Sequence, residues 1–227
     1  MSKARALINE QLRSKSAVKS KVAKITEEKF QLVKKCVAEV TKELRCEISD
    51  LKEIQVNYES KSGFEVDLEI GSDILAFTLH SNTFTFDAEH FIHNTDYVKE
   101  DKDRAFCGVI QIYNFLTDSI KYHRHNDLGY LIGRIFINKE GHFFVEGKRQ
   151  LAFLYNEFKD QVLTKEQVMN IIESSILYSL SFDLLTPPYE EVQVISLKDK
   201  LQQSGIMAQR TGKRVGFKFN SDSDRIS

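Results

Sequence analysis

The chain has 227 residues, 41% of them hydrophobic and 29% charged, with a formal charge of −1. At that length about 70% of the unfolded surface can be buried, and the composition is that of a folded globular protein, which excludes disorder as a whole. The near-neutral balance excludes a global basic field of the kind that draws nucleic acid to a whole domain, and 16 Phe with 8 Tyr and no Trp point to an aromatic core.

No proline or glycine occurs before Gly63, so residues 3–49 can sustain long helices. Residues 1–25 carry seven Lys or Arg against one acid, Glu10. Leu7, Leu12, Val18, Val22 and Ile25 suggest a first helical segment, with a break near residues 14–20. Phe30, Val33, Val37, Val40 and Leu44 repeat at 3-4-3-4 spacing, so they share one stripe of a helix at 27–48, for which Thr26 is the expected N-cap. That stripe spans little more than two heptads. It is read mainly as core, and a homodimer through the 27–48 helix is a secondary expectation.

From residue 51 the period changes to two. Four meander strands are expected at about 53–60, 64–70, 74–80 and 83–87, with turns at Lys61-Ser62-Gly63, Gly71-Ser72-Asp73 and Ser81-Asn82. Residues 88–105 read as a charged connection. Val109, Ile110 and Ile112 favour a strand, although Phe106, Ile110, Tyr113 and Ile120 also fit a helix face. GYLIGRIFIN and HFFVEG form a hairpin about Lys139-Glu140-Gly141. Leu151, Leu154, Tyr155 and Phe158 suggest a short helix. Thr164-Lys165-Glu166-Gln167 is a capping box opening a helix through Leu180, stopped by Pro187-Pro188.

The expected fold is α+β: an antiparallel sheet of about seven or eight strands, meander plus hairpin, covered by a long N-terminal helix and C-terminal helices. The expected divisions are a helical segment with a basic arm (1–50), a β region (51–148), a helical region (149–204) and a polar, basic tail (205–227). Three scattered cysteines, Cys36, Cys46 and Cys107, imply reduced thiols and a cytoplasmic setting. No signal-like N-terminus and no membrane-length apolar run is read.

Chemistry-bearing patterns are few. Glu146-Gly147-Lys148 at a strand end spells E-x-K and resembles the acid and lysine of restriction-type nucleases, a resemblance confined to this strand end. Such a site uses a second acid, here Asp127 or Asp67, to share a Mg or Mn ion. A hairpin centred at Glu140 opposes residues whose numbers sum to about 280, so Glu146 faces Arg134 and a cross-strand ion pair is the stronger expectation. Glu65, Asp67 and Glu69 line one strand face. They resemble the acids of nucleotidyltransferases, but the stretch upstream, Tyr58 to Phe64, is too short for the helix those enzymes require. His123 and His125, with His90 and His93, are the alternative ligands for Zn. No phosphate-binding glycine motif and no G-x-S-x-G occurs.

The two basic ends are the strongest remaining signal. Arg5, Arg13, Lys15, Lys19 and Lys21, with Arg210, Lys213 and Arg214, are the candidate binding residues for a protein or nucleic-acid partner. The function expected is a non-catalytic binding or regulatory module acting on another macromolecule, without a cofactor. The alternatives are a metal-dependent phosphodiester hydrolase and a histidine-ligated metal protein.

Overall fold

The computed structural model describes residues 2–149, 151, 158–159, 161–186, 188–198 and 200. Helix α1 (Lys3–Gln11) opens at Ser2, whose hydroxyl accepts from the Arg5 amide at 3.3 Å. It passes through a π-helical turn, Leu12–Ser16, into the long helix α2 (Ala17–Glu47). The π turn falls at the start of the expected break. Thr26 is not an N-cap. It lies buried inside α2 and its hydroxyl donates to the Val22 carbonyl at 2.8 Å. The helix runs on upstream because Val22 is buried on the same side as Phe30, so nothing ends it there.

The sheet has six strands among the described residues, in the order β1-β2-β3-β4-β5-β6 and antiparallel throughout. They are β1 (Val56–Ser62), β2 (Glu65–Ile70), β3 (Asp73–Leu79), β4 (Cys107–Leu116), β5 (Tyr130–Asn138) and β6 (Phe143–Gly147). Seven or eight were expected. The stretch at 83–87 contributes one bridge, Phe84 to Cys107, because the chain leaves the sheet there and carries Phe86 across its outer face. Cys107–Leu116 is strand, and the helical alternative holds only from the one-turn α4 (Thr117–Lys121) onward. The hairpin has the expected register, with Arg134 opposite Glu146 and Phe136 opposite Phe144.

Alternation sends Val66, Leu68, Phe77, Ile110, Ile112, Ile135 and Val145 to the inner face, where Phe30, Val33, Val37 and Val40 of α2 pack on them. Helix α5 (Lys165–Leu180) completes this cover. Its capping box forms as expected, and Val168, Ile171, Ile172 and Ile176 enter the same core. Each fully buried side chain of this kind contributes about 1.5–3 kcal/mol. The outer face is apolar over β3–β6, beginning with Ile74 and Ala76 of β3. There Val109, Phe136 and Phe144 meet Ile92, Tyr97 and Val98 of the 88–105 connection, which includes the short α3 (Asp96–Glu100) and forms a second core. Over β1 and β2 the outer face carries Glu59, Glu65, Asp67 and Glu69. The expected short helix at 151–158 lies largely outside the described residues. Residues 189–192 form a single turn, α6 (Tyr189–Val192).

No helix among the described residues is long and apolar enough to cross a membrane.

Candidate interaction surface

The E-x-K strand end was the sharpest chemical candidate, and its geometry is that of an ion pair. Glu146 pairs through one carboxylate oxygen with the Arg134 guanidinium. Its other oxygen lies 3.4 Å from His90 Nε2. The His90 Nδ1 accepts from the Ile92 amide at 3.4 Å, so in the neutral ring Nε2 carries the hydrogen and donates to Glu146. The ring stacks on Phe86 with centroids 4.4 Å apart. Lys148 is exposed.

Neither second acid completes a metal site. Asp67 sits on β2, four strands from β6, which at about 4.8 Å per strand places it roughly 19 Å away. It is buried and paired with Lys61. Asp127 accepts from the Ser119 hydroxyl at 2.7 Å in the turn after α4. The histidines diverge as well. His93 Nε2 approaches the Phe86 carbonyl at 3.2 Å while its neighbour His90 meets Glu146. His123 and His125 lie in a turn rather than a strand, with His123 at φ 51°. Their rings stack at 6.0 Å. Among the described residues no three Cys, His, Asp or Glu side chains gather as metal ligands would.

Glu65 and Asp67 both lie within ion-pair reach of Lys61, and Glu69 accepts from Asn57 at 2.9 Å. This acidic strip is therefore held within the sheet by neighbours. A shallow cavity of about 200 Å³ lies between the end of α2 and the start of β1, lined in part by Arg45, Ile48, Leu51, Lys52 and Ile54. It is smaller than the roughly 300 Å³ at which small-molecule sites begin. Arg45 is already committed there to the Val56 carbonyl and Asn57.

Buried thiols offer no nucleophile. Cys107 lies in the outer core, and burial raises its pKa well above the ordinary thiol range. Burial, then the neighbouring Glu39, raises Cys36. Both shifts favour the unreactive thiol over the thiolate.

The N-terminal helix is different in kind. None of residues 3–16 is buried. Fourteen helical residues at 1.5 Å each extend about 20 Å. Arg5, Arg13, Lys15 and Lys21 are exposed on it or at its base, with Lys19 half-buried. Lys15 and Lys19 both reach over the Phe106 ring, at 5.9 and 5.8 Å, which fastens the base of the arm to the body. Leu7, Ile8 and Leu12 are more than half exposed on the same arm. Their exposure was not visible in the sequence, where Leu7 and Leu12 read as ordinary helix residues. Arg210, Lys213 and Arg214 lie outside the described residues.

A second exposed apolar region lies at the C-terminal end of α5 and beyond it. Leu177 and Leu180 face outward from α5, and Leu184, Leu185, Val192 and Ile195 follow them, each more than 40% exposed. Leu177 and Leu180 stand off the buried stripe of Val168, Ile171, Ile172 and Ile176. That offset is readable from helical period alone. The 27–48 stripe proposed for dimerisation packs against its own sheet.

No protein-family model, curated protein or solved structure matches this chain.

Proposed function

We propose that the protein is a non-catalytic binding or regulatory module that acts on another macromolecule through its N-terminal arm. The observation that carries this reading is a helix in which none of residues 3–16 is buried and in which cations and three large apolar side chains are exposed. Contiguous exposed apolar patches rimmed by polar residues mark interaction sites on soluble proteins. A partner of protein character fits best, since Leu7, Ile8 and Leu12 need an apolar surface and the arm carries no aromatic ring on which a base would stack. The cations add orientation and encounter rate more than affinity. Three unpaired thiols, two of them buried, suit a reducing compartment such as the cytoplasm.

Photo-crosslinking from position 8 in the cells that make the protein tests this. The expected result is a discrete macromolecular adduct that disappears when Arg13, Lys15, Lys19 and Lys21 are changed to Glu. A chain that yields no adduct from position 8 or position 12 overturns the reading.

A further inference from the structure

Two uncovered surfaces of this chain are complementary in both polarity and charge. The arm is basic and apolar: Arg5, Arg13 and Lys15 stand beside Leu7, Ile8 and Leu12. The segment 177–197 is acidic and apolar. It holds Asp183, Glu190 and Glu191 and no lysine or arginine. Leu177, Leu180, Leu184, Leu185, Val192 and Ile195 are exposed in it.

Within one chain the base of the arm and the start of the segment lie at opposite ends of β6. The arm leaves the body where Thr26 abuts Gly108 and the Thr83 hydroxyl donates to the Lys19 carbonyl at 3.2 Å. Gly108 pairs with Ile137, which pairs with Phe143 at the start of β6. The segment begins beyond the other end of β6, where Arg149 donates to the Ser181 hydroxyl at 3.2 Å and lies over the Phe182 ring. A helix running outward from the first end does not fold back to the second.

The geometry points to a second copy of this chain as the arm's partner: the arm of one molecule lies on segment 177–197 of the other, and the reverse. A two-fold axis between antiparallel bodies makes both contacts at once and closes the assembly at a dimer. Apolar burial supplies most of the association, and the opposed charges fix which surface meets which. This rests on the reading that the arm is a binding element, and it names that element's partner.

Sedimentation of the purified full chain at low and high salt, over micromolar concentrations, tests it. The wild-type chain is expected to form a dimer at low salt that weakens as salt rises. Reversing the arm (R5E, R13E, K15E) or the segment (D183K, E190K, E191K) should each weaken dimerisation at least tenfold. Circular dichroism should be unchanged, because all six side chains are exposed. Combining both sets should restore the dimer. A wild-type chain that stays monomeric, a dimer indifferent to either reversal, or a combined variant that remains monomeric each overturns the proposal. An adduct from position 8 to a different macromolecule, with a monomeric chain, would remove the second copy while leaving the arm a binding element. Absence of any adduct would remove both.

Discussion

Thr26 of α2 lies directly against Gly108 of β4, so that a Cβ on Gly108 would fall 2.7 Å from the Thr26 Cβ and 2.8 Å from its Cγ2. Glycine there sets how closely the long helix approaches the sheet. Its lack of a side chain and the Thr26 hydroxyl's bond to the Val22 carbonyl are parts of one contact. Gly108→Ala therefore overpacks a buried junction and should cost about 1–3 kcal/mol. For a chain of this size each kcal/mol lowers the melting temperature by about 2–4 °C. Thr26→Ala in the same chain removes two of the crowding atoms and should return part of the loss. A non-additive double-mutant cycle by thermal unfolding checks this. Simple additivity would mean the two residues do not share the contact.

Arg134 and Glu146 are placed to lock the β5–β6 hairpin from its outer face. The pair is partly exposed, with side chains at 41% and 33% accessibility. Solvent screening keeps its coupling small, about 0.2–1 kcal/mol. Chemical denaturation of the two alanine variants and the double variant measures that coupling. Adding magnesium or manganese should leave the stability of the native chain unchanged, since among the described residues no group of acids gathers at Glu146 to hold an ion. A metal-dependent rise in melting temperature that Glu146→Gln abolishes would reverse the assignment.

Glu140 sits at the hairpin turn and ties the outer core together. It accepts from the Tyr97 hydroxyl at 2.6 Å and from Arg104 Nε at 3.1 Å. Burial alone raises its carboxyl, but the hydrogen bonds from Tyr97 and Arg104 outweigh burial and hold the pKa below its ordinary value. Asp101 is lowered too, first by its bond from Lys139. A carboxyl whose folded pKa is depressed contributes stability that is complete above its unfolded pKa, about 4, and is lost as pH falls through the lower folded value. Melting temperature should thus be flat from pH 7 to about pH 5 and fall below about pH 4. Glu140→Gln should lower it at neutral pH and shallow the acid descent. Tyr97→Phe should cost about 1–3 kcal/mol, because it also leaves the Asn138 amide without its 2.9 Å acceptor.

How far each of these features could be read beforehand depended on whether its signal was local. The hairpin register followed from a glycine turn and alternation, and both survive in the pairing of Arg134 with Glu146. The capping box at Thr164 and Gln167 acts within one turn and was legible for the same reason. Thr26 misled because its type suits a cap and an interior back-bond equally. Only the burial of Val22 one turn upstream decides between them. The outer core was hidden because Ile92, Tyr97 and Val98 follow no period, and charged residues surround them. His90 and Glu146 meet across 56 positions, and nothing in either neighbourhood announces the other. The freedom of the arm was likewise invisible, since exposure depends on what the rest of the chain fails to cover.

That freedom has a measurable consequence in the backbone. Isolated helices shorter than about 12–15 residues are marginal in water. The arm's fourteen residues bury no side chain in the core, and its helix continues from α2 at Ala17. The Phe30–Val40 stretch of α2, by contrast, opens only when the core opens. Hydrogen exchange on dilute chain should therefore show amides 5–14 exchanging near the unprotected rate and protection climbing through Val22 to a plateau at Phe30–Val40. Raising the concentration into the range where the arm is engaged should slow exchange selectively in 5–14 and, for a homotypic contact, in 177–197 at the same time. Strong protection of residues 5–14 in the dilute monomer would mean that the arm is already covered within one chain, and the surface argued for it would not exist.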